Sequence, residues 1–173
     1  MRSMIPSVIV VMGVSGSGKT TVGRALAERL GWIFADGDDF HPAANVAKMR
    51  AGVALTDEDR WPWLDAIAAW IRETCAHGER CIIASSALKR AYRERIRAGR
   101  ADLRFVYLAG NYDLIAARMA ERDGHYMPLS LLKSQFDTLE VPDGEGELIV
   151  DVGDPPPAIV ARVIATLGLQ PPA

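Results

Sequence analysis

Three observations predict an α/β fold built on a parallel sheet. Five β-forming runs alternate with helical patterns, the first run passes straight into a glycine-rich loop, and that loop opens an amphipathic helix. The runs are Val8 to Met12, Trp32 to Ala35, Arg80 to Ala84, Arg104 to Leu108 and Glu147 to Asp151. A chain of 173 residues suffices for one well-buried core, and no linker divides it, so a single domain over 1–173 is expected.

The first run, Val8-Ile9-Val10-Val11-Met12, is apolar throughout, as in a strand covered on both faces. Gly13-Val14-Ser15-Gly16-Ser17-Gly18-Lys19-Thr20 follows, with the G-x-x-x-x-G-K-S/T spacing of a phosphate-binding loop. Glycines there let backbone N–H groups turn inward around an anion, and the helix N-terminus adds the positive end of its dipole. With glycine at about 7% of residues, chance should give this spacing in on the order of one such chain in a hundred or fewer. The strand before it and the helix after it lower those odds further. The loop, together with Thr21, is expected to hold a nucleoside triphosphate. Lys19 would reach the β- and γ-phosphates, and Thr20 would ligate Mg2+ through its hydroxyl. Val22, Leu26 and Leu30 recur at helical spacing, and Gly31 stops the helix.

The second run ends in Asp36-Gly37-Asp38. If the chain stays extended there, both carboxylates project to one side, toward the phosphate loop. Phosphoryl transfer needs one carboxylate for the Mg2+ water shell and another to orient or deprotonate the attacking hydroxyl. The third run ends in Ala84-Ser85-Ser86 and the fourth in Leu108-Ala109-Gly110, neither of which offers a carboxylate. The metal role therefore falls to Asp36 and the catalytic role to Asp38, with an exchange between the two left open; Asp151 is a weaker candidate.

Thr56 and Asp59 have capping-box spacing, but Pro62 argues for a later helix start. The expected helix runs from Arg60 or Pro62 to His77, with Asp57 and Asp59 in a turn and Trp61 pushed toward an extended conformation. Its apolar stripe is Leu64, Ile67, Ala68, Ile71 and Cys75, and Trp63 and Trp70 are expected in the core. After the third run, Ser86 is the expected cap of a helix carrying Lys89 and Arg93 on one face. Those cations, with Arg60 and His41, are candidates to meet an anionic acceptor. Arg118 and Arg122 fall four apart on one helix face, before the hinge Asp123-Gly124-His125. Beside a phosphate loop they suit a cationic lid, over roughly 118–138, that neutralises the γ-phosphoryl oxygens and excludes water. Pro155-Pro156-Pro157 is suited to open the last helix.

Composition narrows the partners. A net charge of -2 with mixed signs gives no footprint for nucleic acid or an anionic membrane. Cys75 and Cys81 fit reduced thiols. The first apolar run is too short to span a bilayer and leads directly into the loop, so a cytoplasmic location is expected. His41, His77 and His125 lie far apart with no ligand at metal-binding spacing, which argues against a structural metal site.

Taken together, the segments resemble gluconokinases, P-loop kinases of the shikimate and nucleoside monophosphate kinase type. The resemblance is carried by Met12 to Thr20, Asp36-Gly37-Asp38 with His41-Pro42 and Asn45, Lys48-Met49, and Leu55 to Leu64. It continues in Ser86 to Lys89 with Tyr92-Arg93, Arg118, Gly124-His125, Ser134-Gln135-Phe136 and Thr138-Leu139-Glu140. It implies a three-layer P-loop NTPase fold with strand order 2-3-1-4-5 and a helical lid, ATP and Mg2+ as cosubstrates, phosphorylation of D-gluconate to 6-phosphogluconate, and a homodimer. It also implies catalytic roles for Lys19, Asp38 and Arg122, and an acceptor pocket made by Asp38, His41, Arg60, Lys89, Arg93 and His125. Arg118 would stack on adenine or touch phosphate, and Asp154, in Gly153-Asp154-Pro155, would border the base. Which cation meets the substrate carboxylate stays open. Ala54 departs from the family's usual proline, which touches loop rigidity more than chemistry. No glycine-rich substrate segment of the shikimate kinase kind follows the third run, which tells against shikimate. The remaining rivals are a kinase of another small hydroxy acid and a nucleotide-dependent switch. Absence of Asn-Lys-x-Asp counts against a guanine-specific switch.

Overall fold

Parallel pairing arranges five strands in the order β2-β3-β1-β4-β5, as expected. They are β1 (Val8–Met12), β2 (Ile33–Asp36), β3 (Cys81–Ala84), β4 (Leu103–Ala109) and β5 (Leu148–Asp151). The computed structural model describes residues 5–121 and 129–172. Val8 pairs in register with Cys81 on one side and Leu103 on the other, so β1 is a central strand and every one of its residues is buried.

Alternation along the strands builds two cores. Val8, Val10 and Met12 of β1, with Ile83 and Phe105, pack against α3 (Asp57–Ala76) and α4 (Arg90–Arg97) through Trp63, Leu64, Ile67, Tyr92 and Ile96. Ile9, Val11, Ile82 and Val106 face the other way, onto Leu26 of α1 (Lys19–Leu30) and Val160 and Val163 of α7 (Pro156–Leu167). The result is a helix, sheet, helix sandwich. A smaller cluster joins the phosphate loop to α5 (Tyr112–Ala120) and α6 (Leu129–Thr138): Val14 packs with Ile115, Met119 and Leu132. Gly31 ends α1 with φ 69°, and Pro156 opens α7, both as expected.

Two local expectations need correction. The helix expected from Arg60 or Pro62 instead begins at Asp57, and Trp61 is helical, not extended. Thr56 Oγ1 accepts from the Asp59 N–H at 3.2 Å while Asp59 Oδ2 accepts from the Thr56 N–H at 2.9 Å, a complete capping box. Asp57, Glu58 and Asp59 also lie against the dipole's positive end. A cap is worth about 1 kcal/mol and each first-turn carboxylate up to about 1 kcal/mol, which offsets the roughly 3 kcal/mol ordinarily lost to an internal proline. Ser86, second, does not cap α4, which starts at Arg90. The Arg90 N–H is met by Glu140 Oε1 at 3.0 Å, a carboxylate from beyond α6.

Candidate active site

The phosphate loop joins β1 to α1, with Gly13, Gly16 and Gly18 at φ 151°, 80° and 95°. Only residues without a Cβ adopt those angles freely, and Gly16 also gives Met119 the room to pack on the loop. Lys19 Nζ donates to the Val14 carbonyl at 3.0 Å, so its side chain folds back across the loop. Thr20 Oγ1 donates to Asp36 Oδ2 at 3.1 Å, which joins the two residues expected around a metal. A hydroxyl and one carboxylate suit Mg2+, which keeps most of its water and takes the rest of its ligands from phosphates. Among the described residues no group of three or more His, Cys, Asp or Glu could by itself hold a metal ion.

The segment after β2 is not extended as expected. Gly37–Phe40 forms a 3-10 turn capped by Asp36, whose Oδ1 accepts from the Asp38 N–H at 3.0 Å. Asp38 still reaches the site, because it lines a cleft of about 640 Å3 together with Lys19, His41 and Arg60. Its side chain is 57% exposed to the cleft. Crowding by the cleft walls is the largest influence on its carboxyl and pushes the pKa above the ordinary 3.8; Lys19 pulls the other way, and Asp36 and Asp39 push up.

His41 closes one wall. Its ring stacks on Trp63 at 4.0 Å with 17° between planes, and its Nε2 lies 3.9 Å from Asp38 Oδ1. Burial, then the Arg60 guanidinium, hold its pKa down at about 4, so the imidazole is neutral near pH 7. Trp63 is itself pinned, its indole N–H donating to the Gly37 carbonyl at 2.7 Å. Arg60 Nη1 donates to the Tyr92 hydroxyl at 2.9 Å, and the guanidinium lies 5.1 Å from that ring's centroid. The Tyr92 hydroxyl in turn donates to Asp57.

A second cleft opens on the other side of the loop. Gly16, Gly18 and Thr21 line it with Arg118 and Asp154. Arg118 Nη2 donates to the Val152 carbonyl at 2.7 Å, which holds the guanidinium along that wall.

Not every candidate comes to these clefts. Lys89 turns to Asp57, 3.8 Å away, and to the Tyr92 ring, and it is not among the residues lining the cleft that holds Asp38. Arg93, expected on the cation-bearing face, is 1% exposed. It is a strut: its Nε and Nη2 hold Glu145 at 2.9 and 3.0 Å, Nη1 the Ala87 carbonyl at 2.8 Å, and Nη2 the Glu140 carbonyl at 2.9 Å. Arg122 and His125 lie outside the described residues. Conversely, Ser134 and Gln135 line the same cleft as Asp38, and Gln135 Oε1 accepts from the Ser15 N–H at 2.6 Å. Sequence reasoning gave them no role; the Ser134-Gln135-Phe136 motif was the available signal. Trp63, expected in the core, is both core residue and cleft wall.

Residues 8–142 match the AAA domain family. The chain is 48% identical to a gluconokinase of Gluconobacter oxydans over 155 residues, covering 90% of this chain and 87% of that protein. Among solved structures it is similar to a gluconokinase from Sinorhizobium meliloti (48% identity, TM-score 0.85, 95% of this chain and 93% of that one). It is also similar to an unliganded sugar kinase from Janibacter (43% identity, TM-score 0.91, 96% of each chain). With its loop, acidic turn and two clefts so arranged, and matched almost end to end at these identities, the chain belongs to the gluconokinase family.

Proposed function

We propose that this chain is an ATP-dependent gluconokinase that converts D-gluconate to 6-phospho-D-gluconate. One observation carries the reading beyond family likeness: Lys19, Asp38, His41 and Arg60 line a single cleft, and the loop amides stand between it and a second cleft bordered by Arg118 and Asp154. ATP lies with its base in the second cleft and its triphosphate along residues 13–21. Gluconate occupies the first, with Arg60 and the neutral His41 contacting its oxygens.

Asp38 orients the 6-hydroxyl and accepts its proton as the oxygen attacks the γ-phosphorus. The new O–P bond forms as the bond to the ADP oxygen breaks, and the Lys19 ammonium meets the charge on the transferring oxygens. Thr20 and Asp36 would hold Mg2+, which would supply charge neutralisation at the phosphates. By family likeness the segment around 118–138 serves as a lid with Arg122 and His125 as its functional residues, both outside the described residues; Gln135 Oε1 accepts from the Ser15 N–H, so α6 meets the loop. By family likeness the working unit is a cytoplasmic homodimer; among the described residues no helix is long and apolar enough to cross a membrane.

The test is ADP release measured across a panel of sugar acids, other hydroxy acids and nucleoside monophosphates. Gluconate should be turned over well above the rest, and background turnover with gluconate would refute the reading.

A further inference from the structure

His41 lines the cleft that holds Asp38, its Nε2 lies 3.9 Å from Asp38 Oδ1, and the packing behind the ring decides where its proton sits. Asn45, on α2 (Ala43–Arg50), is 3% exposed. Its Nδ2 makes two contacts: 2.8 Å to the Asp59 backbone carbonyl and 3.2 Å to His41 Nδ1. A carbonyl oxygen only accepts, so the Asn45 atom facing it must be the amide nitrogen, and this removes the usual ambiguity in amide orientation. That nitrogen has hydrogens to give and no lone pair to offer. His41 Nδ1 must therefore be the acceptor, and the ring proton resides on Nε2.

We propose that Asn45 is a positioning residue for phosphoryl transfer: it holds His41 as the Nε2–H tautomer and aims that donor into the cleft, at a hydroxyl oxygen of the sugar acid. The proposal rests on the reading of that cleft as the gluconate site. The anchor behind Asn45 is firm. Asp59 belongs to the capping box of α3, and its carboxylate also accepts from Lys48 Nζ at 2.7 Å. Two influences oppose each other at the ring: Asp38, 3.9 Å from Nε2, favours a proton on that nitrogen, while burial against Trp63 and the Arg60 guanidinium oppose a positive charge and keep the ring neutral. The cleft thus sets an N–H donor beside the Asp38 acceptor. A polyhydroxy acid matches this pair, one hydroxyl donating to Asp38 and a neighbour accepting from His41.

The experiment reads the tautomer directly, by long-range 1H–15N correlation on 15N-labelled full-length protein near pH 7 without ligand. The chain has 3 histidines, so replacing each with glutamine assigns the signals. His77 is an internal control of opposite sense, because its Nδ1 lies 2.8 Å from the Glu73 carbonyl and must carry a proton. The expected spectrum shows His41 bare at Nδ1 and protonated at Nε2. Asn45→Asp, which substitutes an acceptor for the donor, should move a proton onto Nδ1 and raise the gluconate KM about tenfold with the ATP KM unchanged. If that variant fails to fold, Asn45→Ala is used, with partial loss of the tautomer and the same KM shift expected. A wild-type His41 protonated at Nδ1 overturns the proposal, as does a folded variant whose tautomer changes while the gluconate KM does not. Absence of gluconate turnover in the wild type overturns the cleft reading and with it the positioning role. The spectrum distinguishes that failure from an incorrect tautomer.

Discussion

Replacing Arg93 with alanine separates a strut from a substrate cation. The guanidinium is 1% exposed and satisfies the Glu145 carboxylate, itself 9% exposed, along with the carbonyls of Ala87 and Glu140. Removing one partner of a buried ion pair costs about 3–5 kcal/mol, since the other charge stays desolvated and unpaired. The two orphaned carbonyls add about 1 kcal/mol between them, because that segment can relax toward water. For a chain of this size each kcal/mol moves Tm by about 2–4 °C, so Arg93→Ala should melt roughly 8–24 °C lower. Hydrogen bonds from Arg93 are the main reason the Glu145 carboxyl titrates below its ordinary 4.5. A lowered carboxyl stabilises the fold above its unfolded pKa and stops doing so as pH falls through its folded pKa. The Tm gap should therefore be full at neutral pH and narrow below pH 4.5. Circular dichroism melts at several pH values, with gluconate kinetics run beside them, measure both. A Tm loss under about 3 °C with a gluconate KM raised tenfold or more would refute the strut and make Arg93 a substrate ligand.

Lys19→Met should abolish turnover while Tm stays nearly constant, because it removes a phosphate contact and no core packing; an active variant would contradict the loop assignment. Asp38→Asn should lower kcat about a hundredfold or more with ATP affinity little changed. Since the cleft raises the Asp38 pKa above 3.8, the wild-type rate should climb with pH through that raised value, and the asparagine variant should lose this arm. Collapse of ATP affinity instead would exchange the roles of Asp36 and Asp38. Gly37→Ala should lower kcat/KM at least tenfold, because a Cβ there would lie 2.4 Å from the Ala84 carbonyl and push the acidic turn away from β3. Unchanged kinetics and an unchanged denaturation midpoint would show that the turn does not depend on that approach.

What the chain reveals by itself follows the range of each interaction. The phosphate seat is local backbone geometry, so spacing alone locates residues 13–20, and the strands declare themselves because both faces of a central strand are apolar. The start of α3 is local too, yet two local rules compete there, and the capping box with its three first-turn carboxylates outweighs Pro62. Arg93 is illegible for another reason. Helical spacing puts it on a face, but which face is buried depends on Glu145, 52 residues onward. Gln135 is more remote still, meeting Ser15 across 120 residues through the packing of α6 on Val14 and Ile115. His41 is intermediate: its residue type and place are readable, while its tautomer depends on Asn45 and the Asp59 carbonyl.

The placement of Asp36 shows how a non-adjacent strand serves the loop. In register, Asp36 pairs with Ala84 and Ala84 with Val11, so β3 stands between the carboxylate and the strand that feeds the phosphate seat. Two strand spacings come to roughly 9–10 Å, too far for a carboxylate acting from a regular sheet edge. Small residues at the tip of β3, Ala84 and Ser85, and the missing Cβ of Gly37 let the turn press over that strand, and Asp36 then reaches Thr20. Its two oxygens divide the work: Oδ2 meets Thr20, and Oδ1 holds the Asp38 N–H. One carboxylate thus fixes the Thr20 hydroxyl and the turn that carries Asp38. The 3-10 turn delivers Asp38 to the cleft where an extended strand end was expected, and the placement of both the Thr20 hydroxyl and the Asp38 carboxylate depends on a single side chain.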